Sequence, residues 1–475
     1  MPTMDFSALV AHSRLAPSKR RAVVIGGSLA GLLAARVLAA RFDEVMILDR
    51  DELPQENRHR KATPHTQHAH GLLARGLQVI EALLPGITDE WVAQGGTLGD
   101  LHSACAFYAG GLRFAQAPSG IRAMAVGRAV IEGSVRRRVL ALPWVRACTG
   151  VDVRGLLASA DAACITGIEL NEIGGDETLR LEAALVVDAS GRGSHLPQWL
   201  QSLGHQAPEE QRVKVDIRYA TAYLERDSSH APGSEVVLCT PNNANPKIAC
   251  MIGQEGGRWV LTLGGYGSDA PPLTHDAFVQ RAQAMGGEIA ATACAARFVG
   301  EPIGYRFPHS QRRRYERLPR FPAGLLAIGD AICSFNPIYG QGMSVAACEA
   351  QALAECLAAG EAGLARRFFR RASRIIDTAW DTAVGADLAI DSVQGERSAA
   401  TRFVNRYIAQ VLRAAHDDPV VARAFLEVAH LLAEPPSLMR PRIVARVFGA
   451  LWRQRQQPAP QRLHGVTRAA SGSSS

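Results

Sequence analysis

Short apolar runs that end at glycine-containing turns are the first pattern in this chain. Residues 21–25 form a run of the length of a buried parallel strand, and a turn and a helix predicted over 32–41 follow it. A second apolar run, 45–48, ends at Asp49 and Arg50. Far along the chain, the apolar residues 325–328 lead into a loop and a long alanine-rich helix. The pattern predicts a doubly wound sheet whose two parts are distant in the chain.

The middle of the chain has the pattern of antiparallel sheets. Polar and apolar residues alternate through much of 213–264, which is typical of long strands with one buried face. Gly110-Gly111 between apolar stretches predicts a hairpin over 107–114. Three further runs predict antiparallel strands separated by Gly- and Asp-rich turns: 145–155, 163–170 and 178–187. Helical stretches are predicted over 72–84, 275–298 and 342–455.

The turn after the first strand has the composition of a dinucleotide-binding loop. It reads Gly26, Gly27, Ser28, Leu29, Ala30 and Gly31. Glycines there permit a tight turn, a close approach of backbone to a pyrophosphate, and close helix–strand packing. Asp49 follows at about the spacing, roughly 20 residues on, of a carboxylate that binds ribose. Ser28 departs from the usual pattern, because it occupies the position of the middle glycine.

Residues 325–343, LLAIGDAICSFNPIYGQGM, are the most specific string in the sequence. A strand ends at Gly329 and Asp330, whose carboxylate can accept hydrogen bonds from sugar hydroxyls. The turn Gly340-Gln341-Gly342 then opens a helix with little side-chain cover. Such a helix start offers free backbone N–H groups and a positive dipole end to an electron-rich ligand. We therefore expect a flat ring to lie on bare backbone at this turn.

Composition narrows the class of protein. The chain has 475 residues, of which 47% are hydrophobic and 20% charged, so we expect a folded protein of two packed domains. No secretory signal and no apolar run long enough to span a membrane is expected, and nine cysteines without paired spacing favour a reduced, cytoplasmic protein. The formal charge of +7 comes without an aromatic-basic module, so we expect no nucleic-acid partner. No metal site is expected.

Together these strings resemble the FAD-dependent monooxygenases of the para-hydroxybenzoate hydroxylase fold. GGSLAG, the following Asp49-Arg50, DASGRGS at 188–194 and GDAICSFNPIYGQGM carry the resemblance. PHTQHAHGLLARG and YRFPHSQRRRYERLPRFPAGLLAIGDA look closest to the bacterial flavin epoxidases of polyether pathways, and squalene epoxidase is more distant. The implied fold is α/β (α+β overall): a Rossmann-like FAD-binding domain, an inserted β-sheet substrate domain and C-terminal helices. The expected bounds are 1–20 (N-terminal extension), 21–204 and 323–395 (FAD), 205–322 (substrate), 396–456 (helices) and 457–475 (disordered tail).

The resemblance also implies roles for individual residues. The ribose meets Asp49, the pyrophosphate meets the first glycine turn, and Asp330 holds the ribityl and pyrophosphate region. The N–H groups of Gly340, Gln341 and Gly342 stabilise negative charge on the reduced ring, so these three residues are the catalytic candidates. The full set implied for the cofactor is Gly26, Gly27, Ser28, Leu29, Ala30, Gly31, Asp49, Arg50, Arg128, Asp188, Gly329, Asp330, Pro337, Gly340, Gln341, Gly342 and Met343.

The implied reaction is insertion of one oxygen atom from O2, through a flavin C4a-hydroperoxide, into a hydrophobic alkene-bearing or aromatic intermediate. Epoxidation and hydroxylation both stay open; the sequence offers no evident phenol base, which favours epoxidation. The reductant is NADPH or NADH, used directly or through a separate flavin reductase. Candidate substrate contacts are His70, Tyr219, Tyr266 and Tyr305. The alternatives are a reductase of prenyl-type double bonds and a non-catalytic lipid carrier.

Three further features leave alternatives open. An ion pair between Asp188 and Arg192 is one reading of the DASGRGS loop. The sequence predicts a solvated basic face from the cluster of Arg312, Arg313, Arg314, Arg317 and Arg320. Contact with a carrier protein, a carboxylate-bearing substrate or a membrane surface is the alternative. The last helix, near 443–452, predicts either a packing lid or an interfacial amphipathic patch. The oligomeric state is not predicted.

Overall fold

The structure, a computed structural model, describes residues 3–15, 20–61 and 63–456. The predicted disordered tail, 457–475, lies outside these residues. The described strands are β1 (Thr3–Met4), β2 (Arg21–Ile25), β3 (Glu44–Asp49), β4 (Thr97–Asp100), β5 (Cys105–Ala109), β6 (Leu112–Arg113), β7 (Arg122–Ala125), β8 (Val145–Thr149), β9 (Val151–Ala158), β10 (Ile165–Glu172), β11 (Thr178–Glu182), β12 (Leu185–Asp188), β13 (Glu210–Glu225), β14 (Val236–Cys239), β15 (Lys247–Gln254), β16 (Arg258–Tyr266), β17 (Ile303–Arg313), β18 (Leu325–Ala327) and β19 (Cys333–Ser334).

The described α-helices are α1 (Phe6–Leu15), α2 (Leu29–Leu38), α3 (Ala74–Leu83), α4 (Ile87–Ala93), α5 (Arg128–Leu140), α6 (Leu196–Ser202), α7 (His275–Gln283), α8 (Gly287–Ala295), α9 (Gly342–Ala358), α10 (Leu364–Asp387), α11 (Ala399–Ala414), α12 (Pro419–Ala429) and α13 (Pro441–Gln456). Short 3₁₀ helices lie at Pro64–Gln67, Tyr315–Arg317, Gly329–Ala331, Pro337–Tyr339 and Pro435–Met439.

A six-stranded parallel sheet forms the first layer, in the order β1-β8-β3-β2-β12-β18. Its central strands are buried on both faces, as Val23, Val24 and Ile47 illustrate, because α2 and the antiparallel strands β9 and β10 pack against it. Asp188, the last residue of β12, is in register with Ile25 of β2 and with β18. The turns that follow these three strands therefore meet at one edge, where ligands of such sheets bind. The mixed α/β fold class is confirmed.

Two strand predictions need correction. The run 145–155 is two strands, because Gly150 at φ +72° turns the chain between β8 and β9. The run 178–187 is also two strands, β11 and β12. In each case one part joins the parallel sheet and the other joins a three-stranded antiparallel sheet, β11-β10-β9. The hairpin predicted over 107–114 forms between β5 and β6.

An eight-stranded sheet forms the second layer, in the order β19-β17-β13-β16-β15-β14-β5-β6. Most of it lies within 205–322, the range predicted for the substrate domain. However, β5 and β6 come from before this range and β19 from after it, so the second layer is not a simple insertion. The parallel pairing of β5 with β14 adds the early hairpin to the sheet.

The C-terminal helices α11, α12 and α13 pack on the β5–β6 end of this second sheet. Their apolar residues form one core with Phe107 and Phe114, and the ring centroids of these two residues lie 4.6 Å apart. The helical prediction for this region is therefore confirmed. Within the three described ranges, no helix combines the length and hydrophobicity that crossing a membrane requires.

The arginine run is not a solvated face. Arg312 is 1% exposed and lies 2.6 Å from the Asp377 carboxylate of α10. Arg313 is buried as well and donates to the carbonyl of Ala331 at 2.9 Å. The expectation of a basic surface was therefore wrong for Arg312 and Arg313, which α10 and the turn after β18 cover, whereas Arg317 and Arg320 are exposed.

Candidate cofactor and substrate site

The first glycine turn is closely packed against the strand ends around it. Gly26 has φ +108°, and a Cβ at that position would lie 2.4 Å from the carbonyl oxygen of Ala189. A Cβ at Gly31 would lie 1.9 Å from the carbonyl oxygen of Gly26. Only glycine fits either position, so the turn presents backbone rather than side chains at the carboxyl edge of the sheet.

Asp49 and a buried ionic cluster bind the first glycine turn. The N–H of Gly27 donates to Asp49 at 2.7 Å, and Arg60 lies 2.8 Å from the same carboxylate oxygen. Arg60 also lies 3.3 Å from Glu132, which accepts a hydrogen bond from the Ser28 hydroxyl at 2.8 Å. The serine in the middle-glycine position therefore has a partner of its own, and Asp49 is already engaged by protein groups.

Glu132 carries the negative charge at the centre of this cluster. Burial raises its pKa, but the guanidinium groups of Arg128, Arg60 and Arg136 outweigh this effect and hold the pKa below its usual range. Arg128 donates to Glu132 at 3.1 Å and borders the cavity described below. The cluster thus places a cation beside the phosphate-type turn with its position fixed by a buried carboxylate.

The second cofactor element is the turn after β18. Asp330 lines the cavity. Burial raises the pKa of the Asp330 carboxyl, while the guanidinium groups of Arg128 and Arg192 lower it. The N–H of Gly329 donates to the fully buried Glu349 at 2.6 Å. Burial raises the pKa of Glu349 to about 8, so it is largely protonated at neutral pH.

The Asn336–Gly342 loop leads into α9. The side-chain oxygen of Asn336 accepts the N–H of Ile338 at 3.2 Å, and Gly340 has φ +63°, a left-handed conformation that favours glycine. A Cβ at Gly342 would meet no protein atom within 4 Å. The open space at the start of α9 faces the cavity, and the role of this turn in binding a ring stays a prediction.

The buried carboxylate of Asp387 fixes the position of the same loop through hydrogen bonds. Oδ1 of Asp387 accepts hydrogen bonds from Asn336 at 2.7 Å, from Tyr339 at 2.9 Å and from Tyr266 at 2.9 Å. Burial raises the pKa of Asp387 to about 6 against these three donors. Tyr266 differs from the expectation of a substrate contact, since its hydroxyl is turned to Asp387 and it does not line the cavity.

One large cavity of about 1720 Å³ connects these elements. The predicted cofactor residues that line it are Ser28, Leu29, Ala30, Arg128, Gly329, Asp330, Pro337, Gly340, Gln341, Gly342 and Met343. The others lie outside its lining. Gly26, Gly27, Gly31 and Asp49 build the turn beneath it, and Arg50 is exposed and lies 3.4 Å from Asp152.

The DASGRGS loop contributes a different side chain from the one predicted. Asp188 accepts hydrogen bonds from Ser190 and Ser194, so the ion pair with Arg192 does not form. Arg192 instead borders the cavity, where its guanidinium lies 4.9 Å from the ring centroid of Phe307 and donates to Ser334 at 3.2 Å.

The second sheet supplies the opposite wall of the cavity. Tyr219 and Tyr305 line it, and the His68 ring packs edge-on against Tyr219 with centroids 4.7 Å apart. Nδ1 of His68 is 2.8 Å from the hydroxyl of Thr221, while its Nε2 has no partner within the part of the chain that the structure describes. Burial lowers the pKa of His68 to about 4, so the imidazole is neutral at pH 7.

His70, the predicted histidine contact, also lines the cavity. Its Nδ1 lies 2.8 Å from the backbone oxygen of His68, and burial lowers its pKa well below the usual range. The remaining wall is largely apolar and comes from the sheet and from α11 and α12. Representative residues are Phe107, Ile217, Ile248, Ile252, Leu412 and Phe425.

Sequence reasoning missed three residues that organise the site: Arg60, Glu349 and Asp387. Each is ionisable, buried and bonded to a glycine-rich turn or its neighbour. Arg60 lies in a loop rich in charge and histidine, and nothing in that pattern distinguishes it. A carboxylate on the otherwise apolar face of α9 or α10 was the one available signal for Glu349 and Asp387.

The arrangement fits FAD. Four features occur along one cavity: two glycines at which a Cβ would clash with backbone, a buried cation beside them, a carboxylate at a strand end, and an open helix start. The volume also exceeds the range of about 300–1,000 Å³ that is usual for a single ligand. The cavity therefore has room for a dinucleotide and for a second molecule beside it.

Comparisons with known proteins agree with this geometry. The model of the FAD binding domain family matches residues 19–369. The chain is 32% identical over 479 residues to "Protein Rv3254" of Mycobacterium tuberculosis, which covers 94% of this chain and 99% of that protein. It is 26% identical over 359 residues to a kynurenine 3-monooxygenase of Salinispora tropica, which covers 72% of this chain and 73% of that one.

Among solved structures, the flavin-dependent brominase Bmp2 aligns with a TM-score of 0.65 at 17% identity, over 92% of this chain and 99% of that chain. This likeness shows the fold alone. The fold and the site define the class of FAD-dependent monooxygenases, which are oxidoreductases. The chain belongs to the FAD binding domain family.

Proposed function

We propose that this enzyme inserts one oxygen atom from O2 into a hydrophobic alkene-bearing or aromatic intermediate, as an epoxidase or a hydroxylase. The observation that carries the proposal is the continuous cavity, which has the FAD loops on one side and an apolar wall on the other. A substrate held against that wall lies within the same enclosed space as the ring-binding turn. The volume favours a substrate larger than a single small ring.

Bound FAD supplies the activation of O2, which amino-acid side chains do not perform. The chain binds and orients. Arg128 offers a fixed cation to the pyrophosphate, and Asp330 offers an acceptor to ribityl hydroxyls. The N–H groups of Gln341 and Gly342 would stabilise negative charge on the reduced ring, whereas the N–H of Gly340 donates to the carbonyl of Pro337 at 3.1 Å. The apolar wall excludes water from the reacting atoms.

The two oxygenation reactions place different demands on the wall. An alkene needs no base, whereas a phenol or an aniline is activated when a neighbouring group accepts its proton. His68 is neutral, lines the cavity and has an unpartnered Nε2. Since Nε2 is buried, the ring must rotate before this atom can accept a hydrogen bond from such a group. The similarity to a kynurenine 3-monooxygenase supports hydroxylation, and the resemblance to the polyether epoxidases supports epoxidation.

The test is incubation of the flavin-loaded enzyme with NADPH or NADH, oxygen-18 gas and a panel of hydrophobic alkenes and phenols, followed by mass spectrometry. One oxygen-18 atom in the product supports the proposal, and acid hydrolysis to a diol separates an epoxide from a hydroxylated product. A product that gains two hydrogens and no oxygen-18 overturns it in favour of a prenyl-type reductase. If neither nicotinamide reduces the flavin, the assay is repeated with a separate flavin reductase.

His68→Gln separates the two reactions further. Loss of turnover with phenols but not with alkenes supports a proton-accepting role for His68. Thr292→Val is the matched control, because it removes another buried unpartnered polar atom at a distance from the cavity lining. Equal losses in both variants would show that His68 is only part of the packed wall.

A further inference from the structure

The C-terminal helices carry an unusual surface. The nine large hydrophobic side chains that are exposed among the described residues include five from this region: Phe403, Val404, Met439, Phe448 and Trp452. Phe448 and Trp452 are 58% and 63% exposed, respectively. Since apolar residues of this size are usually inside, their concentration in one region marks a surface that binds something.

Helix α13 has a buried and an exposed apolar side. Ile443, Val447 and Leu451 point inward and belong to the core that α11 and α12 share. Phe448 and Trp452 are one turn apart and form an exposed apolar stripe beside these residues. A packing lid needs only the inward stripe, and its outer face is ordinarily polar. The predicted lid role therefore accounts for only one of the two faces.

Arginines are the prevailing charged residues along the outward apolar stripe. Residues 435–456 contain five arginines and no Asp or Glu, and α11 contains three arginines and no Asp or Glu. Arg446 and Arg453 approach Asp418 of α12. In the described part of the chain, the remaining arginines of 435–456 make no ion pair with a carboxylate: Arg440, Arg442 and Arg455.

The surface is continuous with the substrate cavity. The hydroxyl of Tyr407 in α11 donates to the carbonyl of Leu438 at 2.8 Å, which joins α11 to the 3₁₀ helix that precedes α13. Leu438 and Val404 both line the cavity, and Met439 and Phe403, their chain neighbours, are exposed. From Pro441 to Trp452 the helix rises about 16 Å, so the patch is wide enough to lie along a planar surface.

We propose that α11 and α13 dock this enzyme on the surface of an anionic lipid bilayer. An apolar stripe flanked by arginines is the composition of a helix that lies in the interface of such a membrane. The unpaired cations favour negatively charged headgroups, and Phe448 and Trp452 reach into the acyl boundary. The inference rests on the proposed function in one respect: a hydrophobic substrate dissolved in the bilayer passes from this surface into the cavity between α11 and the 3₁₀ helix.

The experiment is cosedimentation of the flavin-loaded enzyme with vesicles of phosphatidylcholine, with and without phosphatidylglycerol. We expect binding only to the anionic vesicles, and we expect Phe448→Gln with Trp452→Gln to weaken it by about tenfold or more. Ile173→Gln with Leu273→Gln is the matched control, since these two residues have similar exposure (49% and 51%) elsewhere on the molecule.

A second pair of variants tests the charge. Arg440→Gln with Arg442→Gln is expected to weaken binding, and Arg370→Gln with Arg374→Gln, which changes the net charge equally on α10, is not. Equal loss in both pairs overturns the proposal, because global charge then explains the binding. Absence of vesicle binding, or a wild-type dimer that only the Phe448/Trp452 variant disrupts, also overturns it.

Flavin content and oxygenation of a water-soluble test substrate are measured on every variant. These residues do not line the cavity, so both properties are expected to match those of the wild type. Membrane docking and oxygenase activity can therefore fail independently in this experiment.

Discussion

The hydroxyl of Tyr339 donates a hydrogen bond of 2.9 Å to Asp387, which joins the ring-side loop to the C-terminal end of α10. The same carboxylate oxygen accepts from Asn336 and Tyr266. One buried group thus sets the position of a loop that begins with Asn336 and ends at the catalytic candidates Gly340–Gly342.

Replacing this carboxylate tests its role as a positioning group. Asp387→Ala leaves three buried donors without their acceptor, so we expect a loss of about 2–4 kcal/mol in the free energy of unfolding and a lower flavin content. Asp387→Asn keeps an oxygen acceptor and is expected to retain most of both. Urea unfolding and the flavin-to-protein absorbance ratio measure these effects. Equal behaviour of the two variants would contradict the role.

Two glycine variants separate folding from cofactor binding. Gly31→Val forces a side chain into the carbonyl of Gly26, so we expect the apoprotein itself to lose stability. A Cβ at Gly342 would meet no atom within 4 Å outside its own helix turn, so for Gly342→Val we expect the unfolding free energy of the apoprotein to change by less than about 1 kcal/mol while flavin occupancy falls. Thermal unfolding without flavin and flavin titration distinguish them. Full flavin occupancy in Gly342→Val would refute placement of the ring at this turn.

Glu349 gives a pH prediction. Its pKa rises from an ordinary value near 4.5 to about 8 on folding, because burial disfavours the ionised form. Between these two pH values the folded state binds more protons than the unfolded state. The contribution of Glu349 to stability is therefore full below pH 4.5 and is lost as the pH rises toward 8. Glu349→Gln removes this loss, which is on the order of a few kcal/mol.

Urea midpoints of the holoenzyme and of Glu349→Gln at pH 5 and pH 8 test this prediction. The wild type is expected to lose more stability than the variant over this interval. Gln351→Ala is the control for a change in packing, because Gln351 lies on the same helix and is partly buried. Parallel pH profiles in all three proteins would show that Glu349 is already ionised.

The buried arginine run gives a contrast between neighbours. Arg312→Ala removes a buried guanidinium that lies 2.6 Å from Asp377, and we expect a loss of about 2–3 kcal/mol in the unfolding free energy. Arg317→Ala removes an exposed arginine that pairs with the exposed Glu209, and we expect a loss below about 1 kcal/mol. Chemical denaturation measures both. Equal and small losses of unfolding free energy in the two variants would support the prediction that Arg312 lies on a solvated face.

Local pattern was sufficient for the strand–turn–helix units, because glycine turns and apolar runs are properties of neighbouring residues. Asp330 and the turn at Gly340 could therefore be located from sequence. The expected roles of the individual cofactor residues stay predictions. The split of 145–155 at Gly150 was missed, since an apolar run does not show to which of two sheets each half belongs.

Long-range partners could not be predicted. Arg60 meets Glu132 across 72 positions, and Asp387 meets Tyr266 across 121. Arg312 looks solvated within its run of arginines, and only the packing of α10 reveals its burial. Such contacts depend on the register between distant elements, which composition and periodicity do not encode.

The order of strands has a consequence for synthesis on the ribosome. The parallel sheet is completed by β18, at 325–327, and the eight-stranded sheet by β19, at 333–334. Until that short stretch has emerged, β12 and β17 each lack one of their two partner strands, and a strand with an unpaired edge is prone to wrong association. The cofactor turn at the start of α9 follows directly, so completion of both sheets and of the flavin site falls within the same few residues of translation.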